Sequence, residues 1–324
     1  MAKRILITGG AGFIGNNVAR HLTANGYTVI ALDDLSLGRA SNLPADILLQ
    51  TGDVADECVW DAVPDVDSVI HLAGPSSTPM FSSDLIGSFH SKIIGFLRML
   101  EFARRKECRR IIYASSALVY GNAPIPLREE GPLDISNFYA TAKYCLESIA
   151  HTYSLKYGMD IIGVRLMSIY GLREDHKKEL ANLVSQFIWD IERGRKPTVY
   201  GNGTQTRDFT NVQDVARAFQ LILEHSQPLG SMILNVGTGK AVSLNDLIGV
   251  LSELMGVSVQ PSYIPNPSGE NYNRRQVASL ERITQILGYR PSVSLQDGIN
   301  EILTFRRQGS NSDKDNSDDR RVIV

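Results

Sequence analysis

The stretch ILITGGAGFIG (residues 5–15) decides how this chain folds, because a short apolar run leads directly into a glycine-rich turn. Its first four residues are typical of a buried strand, and residues 16–25 continue with helical spacing. A second strand pattern, residues 28–32, ends at Asp33. Strand, glycine turn, helix, strand and terminal acid form the dinucleotide-binding unit, in which a pyrophosphate meets backbone N–H groups at the helix N-terminus.

Each part of this unit has a predicted contact with the cofactor. The glycines allow the backbone to approach the pyrophosphate, and Asp33 would accept hydrogen bonds from the adenosine ribose hydroxyls. A carboxylate repels a 2′-phosphate, so the sequence favours NAD over NADP; capping of a turn is the alternative role for Asp33. The cofactor-binding residues predicted in and after the unit are Gly9, Gly12, Phe13, Ile14, Gly15, Asp33, Asp53, Val54, Leu72 and Ala73.

Strand and helix patterns keep alternating through the first half of the chain. Apolar runs at residues 47–50, 68–74, 110–116 and 160–166 resemble buried strands, and residues 84–105 have helical spacing. Successive β-α-β units predict an α/β fold with a Rossmann-type, doubly wound parallel sheet. In such a sheet the ligands lie at the carboxyl ends of the strands.

The alternation lapses near residue 172, which predicts a smaller, discontinuous α/β substrate domain beside the sheet. On this interpretation, residues 1–172 and about 208–240 form the NAD-binding domain, and residues 173–207 and 241–307 form the substrate domain. Residues 308–324 are rich in Ser, Asn, Asp and charge, so we expect them to be disordered.

The composition narrows the functional class. The chain has 324 residues, 43% hydrophobic and 21% charged, as in ordinary globular enzymes. A net charge of −2 gives no electrostatic reason to expect nucleic acid or a membrane as a partner. The cysteines Cys58, Cys108 and Cys145 are scattered, so we expect reduced thiols and no metal. No signal-peptide pattern or long apolar run occurs, so a cytoplasmic protein is expected.

Tyr139 and Lys143 are four residues apart in a segment with helical spacing, so both side chains are expected on one helix face. A free phenol has a pKa of about 10 and is a poor base near neutral pH. A nearby ammonium favours the phenolate. The two residues are therefore a candidate proton shuttle, although the same spacing also occurs by chance in many helices.

Together these motifs resemble the extended short-chain dehydrogenase/reductases, and specifically their sugar-nucleotide epimerase/dehydratase group. The resemblance runs from about residue 3 to residue 306. The segments that carry it are TGGAGFIG (8–15), Asp33, GDV (52–54), HLA (71–73), SS (115–116), VYG (119–121), Tyr139 with Lys143, RL and YG (165–171), the glycines 201 and 203, RDF (207–209), DVA (214–216), NVG (235–237) and LGYRP (287–291).

The resemblance implies a role for each matching residue. Tyr139 would take the proton of a sugar hydroxyl while a hydride leaves the same carbon for NAD. Lys143 would lower the pKa of the tyrosine and bind the nicotinamide ribose, and Ser116 would share the proton path. Arg207 and Arg274 match arginines that clamp the nucleotide diphosphate, although each could be a solvated surface charge. The predicted substrate-binding residues are Ser76, Ser116, Tyr139, Ser168, Arg207 and Arg274.

Several positions depart from the family pattern or leave alternatives open. Ser168 replaces an Asn that contacts substrate phosphate, and Asn211 replaces a usual Tyr or His; both are interpreted as signs of an unusual substrate. Lys92 replaces a usual Asn and is interpreted as a solvated helix charge, with an inward position as the alternative. Arg275 could take the role of its neighbour. Ser76 lies in a turn expected to border the sugar, where hydroxyls more often cap the backbone.

The positions after Ser116 discriminate between reactions of the family. The 4,6-dehydratases carry an Asp-Glu pair there and the decarboxylases a Glu, whereas this chain has Ala117 and Leu118. The resemblance therefore implies a nucleotide-sugar 4-epimerase, with a UDP-sugar as the expected substrate. A dehydratase, decarboxylase or 4-reductase of this fold and a non-catalytic nucleotide-binding member remain alternatives. A homodimer is also implied, packed through residues 84–105 and 139–157.

Overall fold

The computed structural model describes residues 3–266 and 274–315. The strands, in chain order, are β1 (Arg4–Thr8), β2 (Thr28–Asp33), β3 (Leu48–Thr51), β4 (Ser68–His71), β5 (Arg110–Ser116), β6 (Ile161–Leu166), β7 (Ser168–Tyr170), β8 (Thr198–Tyr200), β9 (Thr206–Arg207), β10 (Phe209–Asn211), β11 (Ser231–Val236), β12 (Val242–Ser243) and β13 (Ser262–Ile264). The helices are α1 (Phe13–Ala24), α2 (Glu57–Asp61), α3 (Thr78–Ser83), α4 (Leu85–Phe89), α5 (Gly95–Arg105), α6 (Phe138–Tyr157), α7 (Leu183–Glu192), α8 (Val212–Glu224), α9 (Leu244–Met255), α10 (Glu281–Leu287) and α11 (Leu295–Asp315).

A seven-stranded parallel sheet forms the centre of the fold, with the strand order β11-β6-β5-β4-β1-β2-β3. The order runs outward from β1 in both directions, so the predicted doubly wound sheet is confirmed. The register pairs Thr8 with Leu32 on one side and with His71 on the other, which aligns the carboxyl ends of β1, β2 and β4. A ligand crevice is expected where the strand order reverses beside β1.

Helices cover both faces of the sheet because its strands carry apolar residues on both sides. Ile5 and Ile7 pack in a core that includes Phe219 of α8 and Leu22 of α1. Leu6, between them in sequence, packs on the opposite face in a core with residues of α5 and α6. Near-continuous apolar strands of this kind are typical of parallel sheets with both faces buried.

A third hydrophobic core lies away from the sheet. It joins α7, α9 and α11 through side chains such as Phe187, Leu247 and Ile299. Short strand pairs accompany it, with β13 parallel to β8 and β12 antiparallel to β9. The division into two domains at the boundaries given above stays a prediction.

The last helix differs from the composition-based expectation. Helix α11 continues to Asp315, so residues 308–315 are helical where disorder was predicted, and residues 316–324 lie outside the described residues. Its first turns are anchored by the buried Ile299, Ile302 and Leu303, and extending an established helix costs little compared with starting one. Among the described residues, no helix has both the length and the apolar character needed to cross a bilayer.

Candidate functional site

A cavity of about 560 Å³ opens at the carboxyl ends of β1, β2, β4 and β5, where the strand order reverses. Its size is in the usual range for small-molecule and cofactor sites. Every residue predicted to contact the cofactor lines it, which places the following in one cavity: Gly9, Gly12, Phe13, Ile14, Gly15, Asp33, Asp53, Val54, Leu72, Ala73, Tyr139 and Lys143.

The glycine turn between β1 and α1 is packed too tightly for side chains. A Cβ on Gly9, whose φ is +68°, would lie 2.8 Å from the backbone nitrogen of Ala73. A Cβ on Gly15 would lie 2.1 Å from the carbonyl oxygen of Gly9. Gly12 is the N-cap of α1 and provides no side-chain cap. The wall of the cavity is therefore bare backbone ending in a helix N-terminus, which suits an anionic group.

Asp33 both caps the turn after β2 and lines the cavity. Its Oδ2 accepts a hydrogen bond from the backbone N–H of Ala11 and its Oδ1 accepts one from Leu35, each at 2.9 Å. Only 6% of the residue is exposed, and burial raises the pKa of this carboxyl despite these hydrogen bonds. Asp33 therefore has the turn-capping role that the sequence analysis gave as its alternative. Its contact with a ribose stays a prediction.

Ser116, Tyr139 and Lys143 meet at the inner end of the cavity. Ser116 ends β5, and Tyr139 lies in the first turn of α6, where the Asn137 side chain caps the helix by accepting from Ala140. Ser116 and Tyr139 line the same cavity, and the Ser116 hydroxyl is close enough to the phenol to affect its pKa. Lys143 follows one turn later, so the predicted juxtaposition of tyrosine and lysine is present, with the ammonium 5.6 Å from the ring centroid.

The net effect on the Tyr139 phenol is opposite to the predicted one. Burial raises its pKa to about 12, although the Ser116 hydroxyl acts in the other direction. The ring packs against Phe81 with 5.8 Å between centroids, and the Lys143 ammonium lies over the ring face and donates to the carbonyl of Ala114 at 2.6 Å. Burial also lowers the pKa of Lys143 to about 8.

Lys92 points inward, so its interpretation as a solvated helix charge is wrong. A π-helical turn over His90–Ile94 joins α4 to α5, and Lys92 in this turn is 1% exposed. Its Nζ donates to the carbonyl oxygen of Ala73 at 2.8 Å, and Lys143 lies close enough for the two charges to interact. Burial and the neighbouring Lys143 charge hold the pKa of Lys92 well below its usual value. Turns of this kind inside helices are frequent at functional sites.

His71 is a hydrogen-bonded core residue, in agreement with its position in an apolar strand. Its Nδ1 lies 2.9 Å from the hydroxyl oxygen of Thr8, and its ring packs against Phe96. Its Nε2 is buried and has no hydrogen-bond partner among the described residues. Burial, followed by the charges of Lys92 and Lys143, holds the pKa of His71 well below its usual value.

A buried ion pair joins α6, which carries Tyr139 and Lys143, to β6. Glu147 on α6 accepts two hydrogen bonds from the guanidinium of Arg165, at 2.7 and 2.9 Å, and a third from Ser115 at 2.5 Å. Arg165 also lies over the Tyr120 ring, 4.6 Å from its centroid. These contacts fix the end of β5 against α6, which sets the position of Ser116 relative to Tyr139. Sequence reasoning missed this pairing because the two charged residues lie 18 positions apart.

The predicted substrate-binding residues fall into two groups. Ser76, Ser116 and Tyr139 line the main cavity. Arg274 and its neighbour Arg275 line a second cavity of about 570 Å³, formed with residues 122–125.

Arg207 and Ser168 lie near the backbone segment that carries Arg274. The backbone carbonyl of Arg274 accepts from Thr206, the residue before Arg207. Ser168 donates to the side chain of Gln276 at 3.4 Å. These three predicted residues are therefore on adjoining backbone segments, although Ser168 and Arg207 do not line the main cavity.

Asn211 has a structural role that the sequence interpretation did not foresee. It is the N-cap of α8, and its Oδ1 accepts from the backbone of Gln213 at 2.9 Å. The side chain is 1% exposed, so it offers no surface to a substrate. Its interpretation as a sign of an unusual substrate is therefore wrong. Among the described residues, no group of His, Cys, Asp and Glu is arranged to hold a metal ion.

The chain is similar to known proteins over nearly its whole length. A curated UDP-glucose 4-epimerase from Mycolicibacterium smegmatis is 31% identical over 316 residues, which cover 95% of this chain and 99% of the relative. A UDP-glucuronic acid decarboxylase from Xenopus tropicalis is 28% identical over 313 residues, which cover 94% of this chain and 72% of the relative. The crystal structure of UDP-glucose 4-epimerase with UDP-glucose from Thermotoga maritima superposes with a TM-score of 0.89 at 30% identity, covering 95% and 99% of the two chains.

A family model agrees with these relatives. The model of the NAD dependent epimerase/dehydratase family matches residues 5–237, which include the whole glycine turn, Tyr139 and Lys143. The match spans more than half of the chain, and the fold, the cavity and the relatives are consistent with it. The chain therefore belongs to the NAD-dependent epimerase/dehydratase family.

Proposed function

We propose that this protein is an NAD-dependent nucleotide-sugar 4-epimerase that acts on a UDP-sugar. The observation that carries the proposal is the pair of side chains after Ser116. Ala117 is buried and Leu118 half-buried, and neither can transfer a proton. Removal of water from the sugar needs an additional acid and base, whereas inversion at C4 needs only a group that takes and returns the hydroxyl proton.

The residues of the cavity fit NAD. The glycine turn presents bare backbone to the cavity, where a pyrophosphate would lie, and a Cβ on Gly9 or Gly15 would clash with neighbouring backbone and displace the turn. Asp33 would accept from the adenosine ribose, Asp53 and Val54 would border the adenine, and Leu72 and Ala73 would pass along the cofactor. When bound, NAD supplies hydride chemistry, taking a hydride from C4 and returning it to the other face.

Side chains of the protein would carry out the proton transfers of the reaction. The Tyr139 phenol oxygen would take the proton of the C4 hydroxyl. It would return the proton after the keto-sugar has rotated to present its opposite face. The Ser116 hydroxyl favours the phenolate against the cost of burial. The Lys143 ammonium adds positive potential over the ring at 5.6 Å and would bind the nicotinamide ribose.

The rest of the nucleotide sugar would extend toward the second cavity. Arg207 and Arg274 would bind its diphosphate, since a guanidinium makes bidentate bonds with phosphate oxygens. Ser168 would support this end, and Ser76 would contact the sugar at the exposed lip of the main cavity. Arg274→Ala is expected to raise KM and to leave kcat near the wild-type value.

We also propose a homodimer. Tyr144 and Leu155 on α6 are large, apolar and exposed, and they lie three helical turns apart on one face. Burial of such a stripe against a second copy would remove it from water. Light scattering should give a dimer mass for the wild type and a monomer mass for Leu155→Glu; a monomeric wild type would contradict the proposal.

The test of function is a substrate panel. The protein would be incubated separately with UDP-glucose, UDP-N-acetylglucosamine and UDP-glucuronate, and the products identified by NMR. Formation of a C4 epimer supports the proposal. UDP-glucuronate is included because one relative is named as a decarboxylase. Loss of CO₂, or accumulation of a 4-keto-6-deoxy sugar, would show that a different reaction of the family takes place.

A further inference from the structure

Residues 172–178 form a segment that follows β7 and is attached to the first turn of α1. The Asn17 side chain on α1 donates both to the first carbonyl of the segment, at 3.0 Å, and to the carbonyl of Phe13, at 2.8 Å. Within the segment, Arg173 and Lys178 have positive φ angles of 62° and 50°. Such angles are unfavourable for residues other than glycine, and strained backbone of this kind is concentrated at active sites and ligand clamps.

The ring of His176 attaches the middle of the segment to the glycine turn. Its Nδ1 is 3.3 Å from the side-chain nitrogen of Asn42, which also donates to the carbonyl of Ala11 at 2.9 Å. An amide nitrogen only donates, so Nδ1 accepts and the proton of the neutral ring is on Nε2. His176 is 6% exposed and lines the main cavity, and its Nε2 has no hydrogen-bond partner among the described residues. Buried donors normally have a partner, so this one is consistent with an acceptor that a ligand supplies.

Lys177 brings an ammonium to the same cavity. Its Nζ lies 5.3 Å from the centroid of the Phe13 ring, and both residues line the cavity. Phe13 is the first residue of α1, and the N–H groups and dipole at the start of a helix favour an anion. The lysine and the positive end of the helix therefore serve one region of the cavity.

The Lys177 ammonium is oriented by Glu174. It donates to Glu174 Oε1 at 3.0 Å, and the same carboxylate accepts from the backbone of Asn182 at 2.9 Å and from the hydroxyl of Ser185 at 2.7 Å. Glu174 is 1% exposed, so these contacts fix its position. An ammonium has three donors, and the pair with Glu174 leaves two of them for a ligand. An internal ion pair alone is the other role open to Lys177.

We propose that Lys177 is a further cofactor-binding residue, whose ammonium binds the diphosphate of NAD together with the N-terminus of α1. This inference rests on the proposed function in one respect, that NAD occupies the main cavity. The diphosphate of a dinucleotide carries two negative charges, whereas a helix N-terminus is equivalent to about half a positive charge. The glycine turn alone therefore leaves the diphosphate undercompensated, and a lysine adds charge-assisted hydrogen bonds.

The test is calorimetric titration of the full-length protein, freed of bound nucleotide, with NAD and with ADP. ADP carries the adenosine and the diphosphate without the nicotinamide, so its binding reports on this region independently of turnover. Lys177→Met removes the charge at similar length, and Lys177→Arg retains it. Lys178→Met is the matched control, because Lys178 is the adjacent residue, is exposed and does not line the cavity.

Loss of the Lys177 ammonium should weaken the binding of both ligands by about tenfold, the size expected of one hydrogen bond between charged groups. Lys177→Arg should retain most of the affinity, and the control should retain all of it. Added NaCl should weaken NAD binding to the wild type more than to Lys177→Met, because salt screens the contact between the charges. An unchanged affinity in Lys177→Met, or an equal loss in the control, would overturn the proposal.

Two further measurements separate this role from a structural one. If Lys177 only neutralised Glu174, Lys177→Met would destabilise the nucleotide-free protein to urea and leave the salt dependence of NAD binding at the wild-type value; that result would overturn the inference. A wild type that binds neither NAD nor ADP would refute both proposals. A wild type that binds NAD but epimerises no nucleotide sugar would refute the proposed function alone, and the titrations would still decide the role of Lys177.

Discussion

Substitution of Gly15 by alanine tests whether the glycine turn is the structural centre of the cavity. The added Cβ would lie 2.1 Å from the carbonyl oxygen of Gly9, 2.8 Å from the Cα of Gly10 and 2.9 Å from the carbonyl carbon of Gly9. The first distance is about 1 Å short of what a Cβ tolerates. All three atoms belong to the backbone, so no side chain can rotate away and α1 must move relative to β1.

The expected magnitude comes from two opposing effects. Alanine stabilises a helix by about 1 kcal/mol relative to glycine. Overpacking of a rigid site costs roughly 1–3 kcal/mol, and a backbone clash should reach the upper end of that range. We therefore expect Gly15→Ala to lower the free energy of unfolding by about 1–2 kcal/mol, and to weaken NAD binding because the turn that would meet the pyrophosphate is displaced.

Gly249 is a matched control, since it is an exposed glycine inside α9 with no atom within 4 Å of a built Cβ. Gly249→Ala should raise the free energy of unfolding by about 0.5–1 kcal/mol and leave NAD affinity unchanged. Urea unfolding and calorimetric titration with NAD measure both quantities. A Gly15→Ala protein with the stability and NAD affinity of Gly249→Ala would refute the account of the turn.

Three further substitutions test the catalytic side of the cavity. Tyr139→Phe should abolish epimerisation and leave NAD bound, whereas Tyr144→Phe on the exposed face of the same helix should change neither. Glu147→Gln should lower the free energy of unfolding by about 3–5 kcal/mol in urea, since it leaves a buried arginine unpaired; Asp65→Asn, in an exposed pair, should cost much less. Burial lowers the Lys143 pKa from 10.5 to about 8. Between pH 8 and pH 10.5 the unfolded state therefore binds more protons than the folded state. The free energy of unfolding should rise there with pH, by at most about 3 kcal/mol, and Lys143→Met should flatten the rise.

Each of these predictions has an outcome that contradicts it. Retained turnover in Tyr139→Phe would remove the phenol from the mechanism. Equal stability losses in the Glu147 and Asp65 variants would mean that the buried pair does not brace β5 against α6. A wild-type stability that falls between pH 8 and 10, or one that Lys143→Met does not alter, would show that the lysine is not buried as described.

Local patterns predicted the sheet and the glycine turn because short-range physics decides both. The alternation of apolar strands and amphipathic helices needs no distant information, and the crowding at Gly15 is produced by the turn itself. Tyr139 and Lys143 could be paired from sequence because residues four apart on a helix share a face. The strand order of the sheet brings the predicted cofactor residues into one cavity.

Features that depend on distant segments could not be predicted in this way. The inward direction of Lys92 depends on a π-helical turn that an ordinary helical pattern does not reveal. The raised pKa of Tyr139 depends on burial against Phe81, which comes from another helix. The pairing of Glu147 with Arg165 joins α6 to β6. The capping role of Asn211 required knowledge of where α8 begins.

The fate of the hydrogen at C4 tests the central claim most directly. The protein would be incubated with UDP-glucose deuterated at C4, or with the equivalent form of whichever UDP-sugar it converts, and the product examined by NMR and mass spectrometry. The account predicts the C4 epimer with its deuterium retained, because the hydride leaves and returns to the same carbon. A product without that deuterium, or one altered at C5 or C6, would contradict it.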